Sequence, residues 1–544
     1  MGSDATVIPL TAPLLSTIIS ALQTPKGPDV RGFLYVCIGL IAHRNPSLIH
    51  QRIDTLQFLF DAAARESGSI QVSITECLSL VFPAVQNPSP EIANALLFLV
   101  QEAVPKAPSV AVKFAFAFPF SNVPARAVCL SVLSQNGLNS DLRLSARYLL
   151  DPYYFRMTTQ VSRNIIPEDF YSFPLFADAV SGLVSLEGLD VIETLRYLRM
   201  VWLHEVLGDT FKFDDEGWRD RLDTAVEVDE IVRRKIRESL PRLTTQRDSG
   251  LEKYFEYLRR TLGSGNDEQV AVAASYLLEI VSLGGKDIAT SLAQDVNAVK
   301  ELVFSRNELL REKAARLLGF ISADLTSVEP LIRTLLRFGE GSVEKQHGAV
   351  LAVASIIGRR SMKGELTTIP QEVLQAFAGD ISQMITSPNT NTILLEAGLQ
   401  ALSELCFFGA GSLFNASDVE QIITRLQTLS KTTRHGSLQD RAVLTLGYLS
   451  FSLNPPDDEI AITKILDALY AVHEQKQVEL LFSAGQALSC VAARWESKAM
   501  TPFRDADVEM PQFQSSQIME RVLNSILEGV RSPKHPLRKV TFKV

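Results

Sequence analysis

The hydrophobic positions of residues 307–321, NELLREKAARLLGFI, recur at the spacing of one helix face. The apolar stripe consists of Leu309, Leu310, Ala314, Leu317, Leu318 and Ile321. The opposite face is charged and consists of Arg311, Glu312, Lys313 and Arg316. Asn307 precedes the run, and an Asn side chain can accept a hydrogen bond from the free N–H groups of a first turn. The pattern therefore predicts an amphipathic helix that begins just after Asn307.

The same pattern, a polar turn followed by a Leu-small-apolar ending, returns many times along the chain. Copies lie at 28–42, 68–82, 108–120, 140–150, 268–281, 342–358, 393–409, 438–451 and 478–492. The branched or Leu residues that anchor five of the copies are Val30, Ile70, Val110, Val270 and Leu310. Val30, Ile70 and Val110 are about 40 residues apart, and so are Val270 and Leu310, which is the period of HEAT repeats. Later intervals vary from the low thirties to about fifty, as insertions in loops would produce.

A second amphipathic segment lies between consecutive copies, for example at 48–64, 91–104, 328–339 and 462–474. Each repeat is therefore predicted to contain a helix A, a turn and a helix B. One such pair cannot bury its own apolar stripe, whereas stacked neighbours bury a continuous core. We predict an all-α fold, an α-solenoid of stacked HEAT-like helical pairs that form an ARM-repeat-like superhelix.

Small residues recur in the predicted B helices, at Ala314, Ala349, Gly398 and Ala484. A Leu or Phe at these positions would hold adjacent helices apart. We therefore predict that neighbouring B helices approach one another closely at these four residues.

The stretch 110–120, VAVKFAFAFPF, fits two kinds of structure. Its strict alternation suits a β-strand, and taken alone it favours a strand about as much as a helix. Its position one period after Ile70 favours a helix, which would end before Pro119 because proline disrupts a helix interior.

The periodicity divides the chain into five regions. These are HEAT-like repeats at 1–150, degenerate helical repeats with long connections at 151–262, HEAT-like repeats at 263–494, a polar and flexible insertion loop at 495–516 and an incomplete terminal repeat at 517–544. A solenoid normally ends in a capping repeat with a polar outer face, and neither end of this sequence supplies one clearly. We therefore expect the chain to be an internal piece of a longer solenoid.

Composition narrows the functional classes. The chain has 544 residues, 46% hydrophobic and 21% charged residues and a net charge of −9, which favour a folded soluble protein without a general affinity for nucleic acid or anionic membranes. The five cysteines are scattered, and no CxxC spacing occurs, as is typical of a reduced intracellular protein. No stretch reaches the roughly 20 apolar residues of a membrane helix, and no signal-peptide pattern begins the chain.

Motifs for catalysis or cofactor binding are absent or weak. FFGAGSLF at 407–414 contains Gly-x-Gly, but no predicted strand precedes it, so a loop after a B helix is the better interpretation. NAS at 415–417 is a formal glycosylation site, although Ser417 is more simply the cap of the following helix. We predict no catalytic, cofactor-binding or metal-ligating residues and no small-molecule substrate, and the pattern does not specify which residues bind a partner protein.

One basic cluster, RRKIRE at 233–238, offers a possible contact with nucleic acid or an acidic partner. It lies on an amphipathic helix just after Glu227, Asp229 and Glu230, and no aromatic residues interleave with its charges as a stacking surface would require. We therefore predict a solvated helix face and no nucleic-acid partner.

Several longer motifs resemble one family. They are VRGFLYVCIGLIAHRNPSLIHQRIDTLQFLFDA, SITECLSLV, AVKFAFAFPFSNVPAR, YLRMVWLHE, EKQHGAVLAVASIIGR and DRAVLTLGYLSF. In this order they resemble the large HEAT-repeat proteasome adaptor and scaffold family, also called the extracellular-mutant protein twenty-nine family, and specifically part of its N-terminal half. The resemblance implies a non-enzymatic protein that binds the 26S proteasome, bridges its core and regulatory particles and monitors their assembly, in the cytoplasm and the nucleus.

Repeat architecture alone leaves alternatives open. A nuclear transport receptor or a phosphatase scaffold has the same kind of fold, and fold does not decide function. An enzyme is the weakest alternative, because a solenoid offers an extended surface rather than a deep pocket with convergent polar groups.

Overall fold

The computed structural model describes residues 4–158, 168–213, 217–245, 250–264, 266–284, 292–323, 325–339, 341–432, 436–453, 458–473 and 478–493, together with Asn524. Every regular element in these ranges is helical, so the predicted all-α solenoid of helical pairs is confirmed. The predicted insertion at 495–516 and terminal repeat at 517–544 lie outside the described residues, apart from Asn524. No helix within the described ranges is both long and apolar enough to cross a membrane.

The chain divides into two compact units. The first unit comprises Met1–Asp223 and Arg242–Tyr257, and the second comprises Thr224–Pro241 and Leu258–Val544. The region boundaries at 150, 262 and 494 that the periodicity suggests stay predictions.

Helices α1 to α12 lie in the first unit. They are α1 Asp4–Leu22, α2 Pro28–Arg44, α3 Pro46–Gln51, α4 Ile53–Arg65, α5 Ser69–Val85, α6 Pro90–Ala103, α7 Pro108–Ala115, α8 Val123–Leu133, α9 Ser140–Tyr148, α10 Pro152–Thr158, α11 Phe176–Leu183 and α12 Val191–Leu207. Three further helices contain residues of both units: α13 Trp218–Val228, α14 Glu230–Thr245 and α15 Leu251–Leu262.

The second unit continues with α16 to α26. These are α16 Asp267–Gly284, α17 Val296–Leu302, α18 Glu308–Ser322, α19 Glu329–Gly339, α20 Val343–Met362, α21 Gln371–Thr386, α22 Thr392–Phe407, α23 Ala416–Thr432, α24 Gly436–Leu449, α25 Glu459–His473 and α26 Val478–Ala493. Short 3₁₀ turns precede or follow several of them.

Each unit stacks helical pairs in the way that the period predicts. In the first unit α2 packs against α5 and α7 against α9, while α4 packs against α6 and α6 against α8. In the second unit the B helices α16, α18, α20, α22, α24 and α26 pack each against the next, and every A helix from α17 to α25 packs against the B helix that follows it. Successive B helices of this unit begin 35 to 49 residues apart, which confirms the predicted variation in period.

The helix predicted after Asn307 is confirmed as α18. The Asn307 side chain accepts a hydrogen bond from the Leu310 N–H at 3.2 Å, as a cap should. Two assignments of faces were wrong: Leu309 is 51% exposed, and Arg311 is only 3% exposed. A charged side chain at an inward position signals a polar contact between helices, which a periodicity pattern does not reveal.

The ambiguous stretch 110–120 is helical where it begins. Helix α7 ends at Ala115, ahead of Pro119, which confirms the prediction of a helix. The next residues leave the helix and bury Phe118 and Phe120, both 1% exposed, and the Phe120 N–H donates to the Phe170 carbonyl at 2.8 Å. The alternation of apolar residues therefore reflects aromatic side chains that fill a core at the end of the helix.

Candidate protein-binding surfaces

The B helices of the second unit approach one another at glycines. A Cβ atom on Gly319 of α18 would lie 2.2 Å from the Ser355 Oγ of α20. A Cβ atom on Gly447 of α24 would lie 2.6 Å from the Ala487 Cα of α26. The four predicted small residues are buried, but Gly398 leaves ordinary contact distances of 3.4 Å, so the tightest approaches lie at glycines that the sequence pattern did not single out.

Hydrogen bonds also connect successive B helices. Ser403 on α22 donates to Thr445 on α24 (Oγ to Oγ1, 3.1 Å), and the two residues are 42 positions apart. Ser483 on α26 donates to Asp440 on α24 (Oγ to Oδ1, 2.9 Å), across 43 positions. Since one repeat is about this long, these bonds form a ladder that links equivalent positions of neighbouring repeats.

A buried histidine joins α18 to α20. Arg311 donates from Nε to the Nδ1 of His347 at 3.3 Å, and His347 is 3% exposed. Burial, with the Arg311 charge as the next cause, lowers the pKa of His347 to about 4. The imidazole is therefore neutral at neutral pH and accepts the arginine N–H.

The same histidine lies in a group that could hold a metal ion by distance alone. Potential ligand atoms of Glu308, Glu312 and His347 lie within 4.8 Å of one another. The donor set does not suit a metal, because the His347 Nδ1 lone pair already accepts from Arg311. The adjacent guanidinium charge would also oppose a cation. The group is better described as a hydrogen-bonded contact between helices.

Another charged cluster lies between α18, α20 and α22. Glu404 is 2% exposed, and burial raises the pKa of its carboxyl, while the nearby Arg359 charge and the Ser355 hydroxyl lower it. The Arg359 guanidinium lies 3.7 Å from the ring centroid of Phe320 and 4.5 Å from that of Phe408. The Arg359 guanidinium therefore makes cation–π contacts with both rings, and these contacts stabilise the packing of α20 against the neighbouring repeats.

In the first unit, a B helix presents an apolar face outward. On α2, Val30 is 50% exposed, Phe33 68% and Leu40 53%, and Cys37 between them is half-buried. These four residues, hereafter the α2 stripe, recur at helical spacing opposite the buried face. Val30, which marks the repeat spacing, therefore lies on the exposed side of α2. Exposed apolar patches of this kind are typical of interaction sites.

Ser417 does not cap α23. The Asn415 side chain accepts from the Asp418 N–H at 2.9 Å, and Ser417 lies inside the helix that begins at Ala416. Asn is at least as good a cap as Ser, so the better-placed residue forms the bond. The FFGAGSLF stretch is a loop after a B helix, as predicted, with Gly409 at φ +80°.

The basic cluster at 233–238 is only partly solvated. Arg233 is 4% exposed and donates to the Val226 carbonyl at 3.1 Å, which contradicts the prediction for this residue. Arg234 remains on the surface with its side chain 59% exposed, 4.0 Å from Glu238. The cluster therefore includes one residue that stabilises the fold internally.

Two family models match the chain in order. The model described as "Proteasome component ECM29, N-terminal" matches residues 2–131, and the model described as "ECM29, ARM-like repeats" matches residues 219–401. Together these matches cover more than half of the sequence. The chain belongs to the ECM29 family.

Curated ECM29 relatives match over most of the chain. The human "Proteasome adapter and scaffold protein ECM29" is 24% identical over 90% of this chain. The "Proteasome component ecm29" of Schizosaccharomyces pombe is 22% identical over 89%, and the Saccharomyces cerevisiae protein of similar name is 23% identical over 61%. The chain spans 28%, 30% and 18% of these three relatives, respectively.

Solved structures of other helical-repeat proteins also align with this ECM29-family chain. Kap121p aligns with 96% of the chain and 48% of its own length at a TM-score of 0.43 and 12% identity. Importin beta aligns with 97% of the chain and 70% of its own length at a TM-score of 0.41 and 13% identity.

Proposed function

We propose that the chain is part of a non-enzymatic, proteasome-associated adaptor that acts as a docking scaffold. The finding that carries this proposal is the ordered match of two ECM29 models, which together name a proteasome component and a repeat fold. The name of the human relative adds the roles of adapter and scaffold. These names favour a proteasome role over a nuclear transport receptor or a phosphatase scaffold.

The described surfaces support docking. The helical pairs expose wide helix faces, and the α2 stripe adds apolar area that a protein partner can bury. Protein interfaces of standard size bury about 1,600 Å² in total, an area that several adjacent helix faces readily supply. Because this chain has a net charge of −9, it would attract basic patches on the partner, and salt would weaken that attraction.

The finer role follows the family resemblance. The adaptor bridges the core and regulatory particles of the 26S proteasome, stabilises their association and monitors its assembly, in the cytoplasm and the nucleus. It hydrolyses neither ATP nor peptide itself.

Affinity purification tests the association. The tagged chain is incubated with cell extract at low and moderate salt, and retained material is probed for subunits of the core and regulatory particles. We expect both kinds of subunit, with less retained as salt rises. An untagged chain is the control. If the chain retained neither particle even at low salt, the proposal would be contradicted for this part of the protein.

A separate measurement tests bridging. Purified core and regulatory particles are mixed with and without the chain, and the assembled fraction is read on a native gel. A larger assembled fraction with the chain supports bridging. An unchanged fraction despite retention in the affinity experiment would leave an adaptor that does not bridge.

A further inference from the structure

A cleft of about 480 Å³ lies in the second unit, between helices α19, α20, α21 and α22. Its apolar lining includes Phe377, Ala349 and Val350, which are 1%, 2% and 4% exposed, and the more accessible Met384. The turn between α21 and α22 forms one edge. The cleft therefore lies between two neighbouring repeats and has a preformed hydrophobic floor.

The rim of the cleft is polar. Gln346, Gln383 and Asn389 line it with amide groups, and Asp380 adds the single charged side chain. Within the described ranges, none of these four side chains has a hydrogen-bond or ion-pair partner. Partial desolvation at the cleft rim raises the pKa of the otherwise exposed Asp380 carboxyl, and no cation of the described residues offsets this effect.

The chemistry of the rim selects an extended partner. Side-chain amides can both donate to backbone C=O groups and accept from backbone N–H groups. An extended peptide leaves these backbone groups available, whereas a helix has already bonded them internally. An apolar floor accepts a hydrophobic side chain, and an unpaired carboxylate favours a neighbouring Lys or Arg.

We propose that this cleft binds an extended peptide segment of a partner protein, in which an apolar side chain fills the floor and an adjacent Lys or Arg pairs with Asp380. The inference goes beyond the docking role, because it assigns a specific peptide class to one site. It requires no proteasome subunit as the partner.

Fluorescence anisotropy with the whole chain tests the proposal. The probes are fluorescein-labelled octapeptides of alternating Leu and Lys, Leu and Glu, Leu and Ser, or Ser and Lys. We expect the Leu-Lys peptide to bind at least about tenfold more tightly than each of the others, since one lost ion pair or apolar anchor of about 1.4 kcal/mol changes affinity tenfold.

Variants of Asp380 identify the site. Asp380→Asn should weaken Leu-Lys binding about tenfold, and Asp380→Lys should shift the preference towards the Leu-Glu peptide. The matched control is Asp418→Asn, which removes the same charge from α23 of the next repeat, outside the cleft lining, and should change affinity less than twofold. Because Asp380 is exposed, neither of its substitutions should unfold the chain.

Three outcomes would overturn the proposal. The first is no binding of the Leu-Lys peptide at about 1 mM. The second is equal binding of the Leu-Lys and Leu-Ser peptides. The third is an equal loss for Asp380→Asn and Asp418→Asn, which would reveal a general attraction to the acidic chain. Proteasome retention by Asp380→Asn is measured in parallel, so that a failed peptide site is distinguished from a failed docking role.

Discussion

Helix α2 of the first unit and helix α18 of the second unit occupy equivalent places in their repeats but present different surfaces. Both approach the next B helix through a glycine: a Cβ on Gly39 would lie 2.9 Å from the Cys77 Cα, and Gly319 is similarly close to Ser355. Three large apolar residues of α2 are at least half exposed, whereas α18 exposes Leu309 and carries a half-buried charge at Lys313. Small residues on the buried side therefore determine how closely successive B helices pack, whereas the exposed side differs between the two helices.

Buried charge is also used differently. In the first unit, Arg126 is fully buried and donates to the backbone carbonyls of Ala115 and Leu149, at 2.8 and 2.5 Å. These carbonyls lie at the ends of α7 and α9, where no further helical N–H is available. In the second unit, Arg233 is used in the same way at the end of α13, but His347 also accepts from Arg311 and Glu404 also lies near the Arg359 charge, in both cases across adjacent B helices. The first arrangement stabilises helix ends, and the second stabilises helix-to-helix contacts.

The largest effect is expected from Arg126→Ala. The substitution leaves the Leu149 carbonyl without a donor, leaves the Ala115 carbonyl with only the long bond from the Phe118 N–H at 3.4 Å, and opens a cavity beside the Phe120 ring, whose centroid lies 4.6 Å from the guanidinium. We expect a loss of about 3–5 kcal/mol in the stability of the first unit. Hydrogen exchange of the α7 to α9 amides, followed by mass spectrometry, measures this loss where it occurs.

Arg147→Ala is the matched control for Arg126→Ala. The Arg147 side chain is 47% exposed and pairs with Glu193 at 2.9 Å, so its removal should cost less than about 1 kcal/mol. Similar losses for the two variants would show that Arg126 does not stabilise the helix ends as described. Arg126→Met restores much of the volume and should isolate the cost of the two hydrogen bonds that the guanidinium donates.

The next largest effect is the pH dependence that His347 gives to the stability of the second unit. Since the pKa of His347 falls from 6.5 to about 4 on folding, the folded state binds fewer protons than the unfolded chain between these values. The resulting stability is fully present above pH 6.5 and is lost as the pH falls towards 4. The shift corresponds to about 3 kcal/mol. His347→Gln retains an acceptor for Arg311 but does not titrate, so its stability should decline less over this range.

Calorimetric melting at several pH values between 7 and 4 measures the difference between wild type and His347→Gln. Carboxylates elsewhere also titrate in this range, and the comparison of variants removes their contribution. His43→Gln, on an exposed residue at the end of α2, should leave the pH profile of the wild type unchanged. Parallel profiles for wild type and His347→Gln would contradict the assignment.

Sequence periodicity predicts the repeats well because a stacked helix must bury one face. It identified α18, its Asn307 cap and the helical start of 110–120. It did not identify the inward Arg311, because a charged residue is buried only when partners satisfy it, and here these are the Ser305 and Arg306 carbonyls just before α18 and a side chain of the next repeat. The side-chain partner, His347, is 36 residues away along the chain, and no local pattern connects the two.

The candidate surfaces were harder to predict than the fold. Positions 32–42 of α2 form a continuous apolar run, so the pattern did not distinguish its inward face from the outward Phe33. The cleft beside Asp380 depends on the space left between two repeats, and a sequence does not reveal that space. Predicting a binding surface therefore requires the three-dimensional structure, whereas the repeats can be predicted from the sequence alone.

The smallest effect on stability, and the sharpest test of the comparison between the two units, is expected from the double variant Phe33→Gln with Leu40→Gln. Both residues are more than half exposed, and Gln is a good helix former, so the stability of the first unit should change by less than about 0.5 kcal/mol. If the α2 stripe contacts the proteasome, retention should nevertheless fall. The fall should persist at moderate salt, because burial of apolar surface is not screened.

The control for this double variant is Leu309→Gln with Ile460→Gln in the second unit. These two residues are 51% and 76% exposed, so the control removes a similar amount of exposed apolar character from another part of the chain. We expect the control to retain proteasomes as the wild type does. If both double variants retained proteasomes as well as the wild type, the exposed apolar face of α2 would not be needed for docking. The polar faces of the second unit would then be the next surfaces to test.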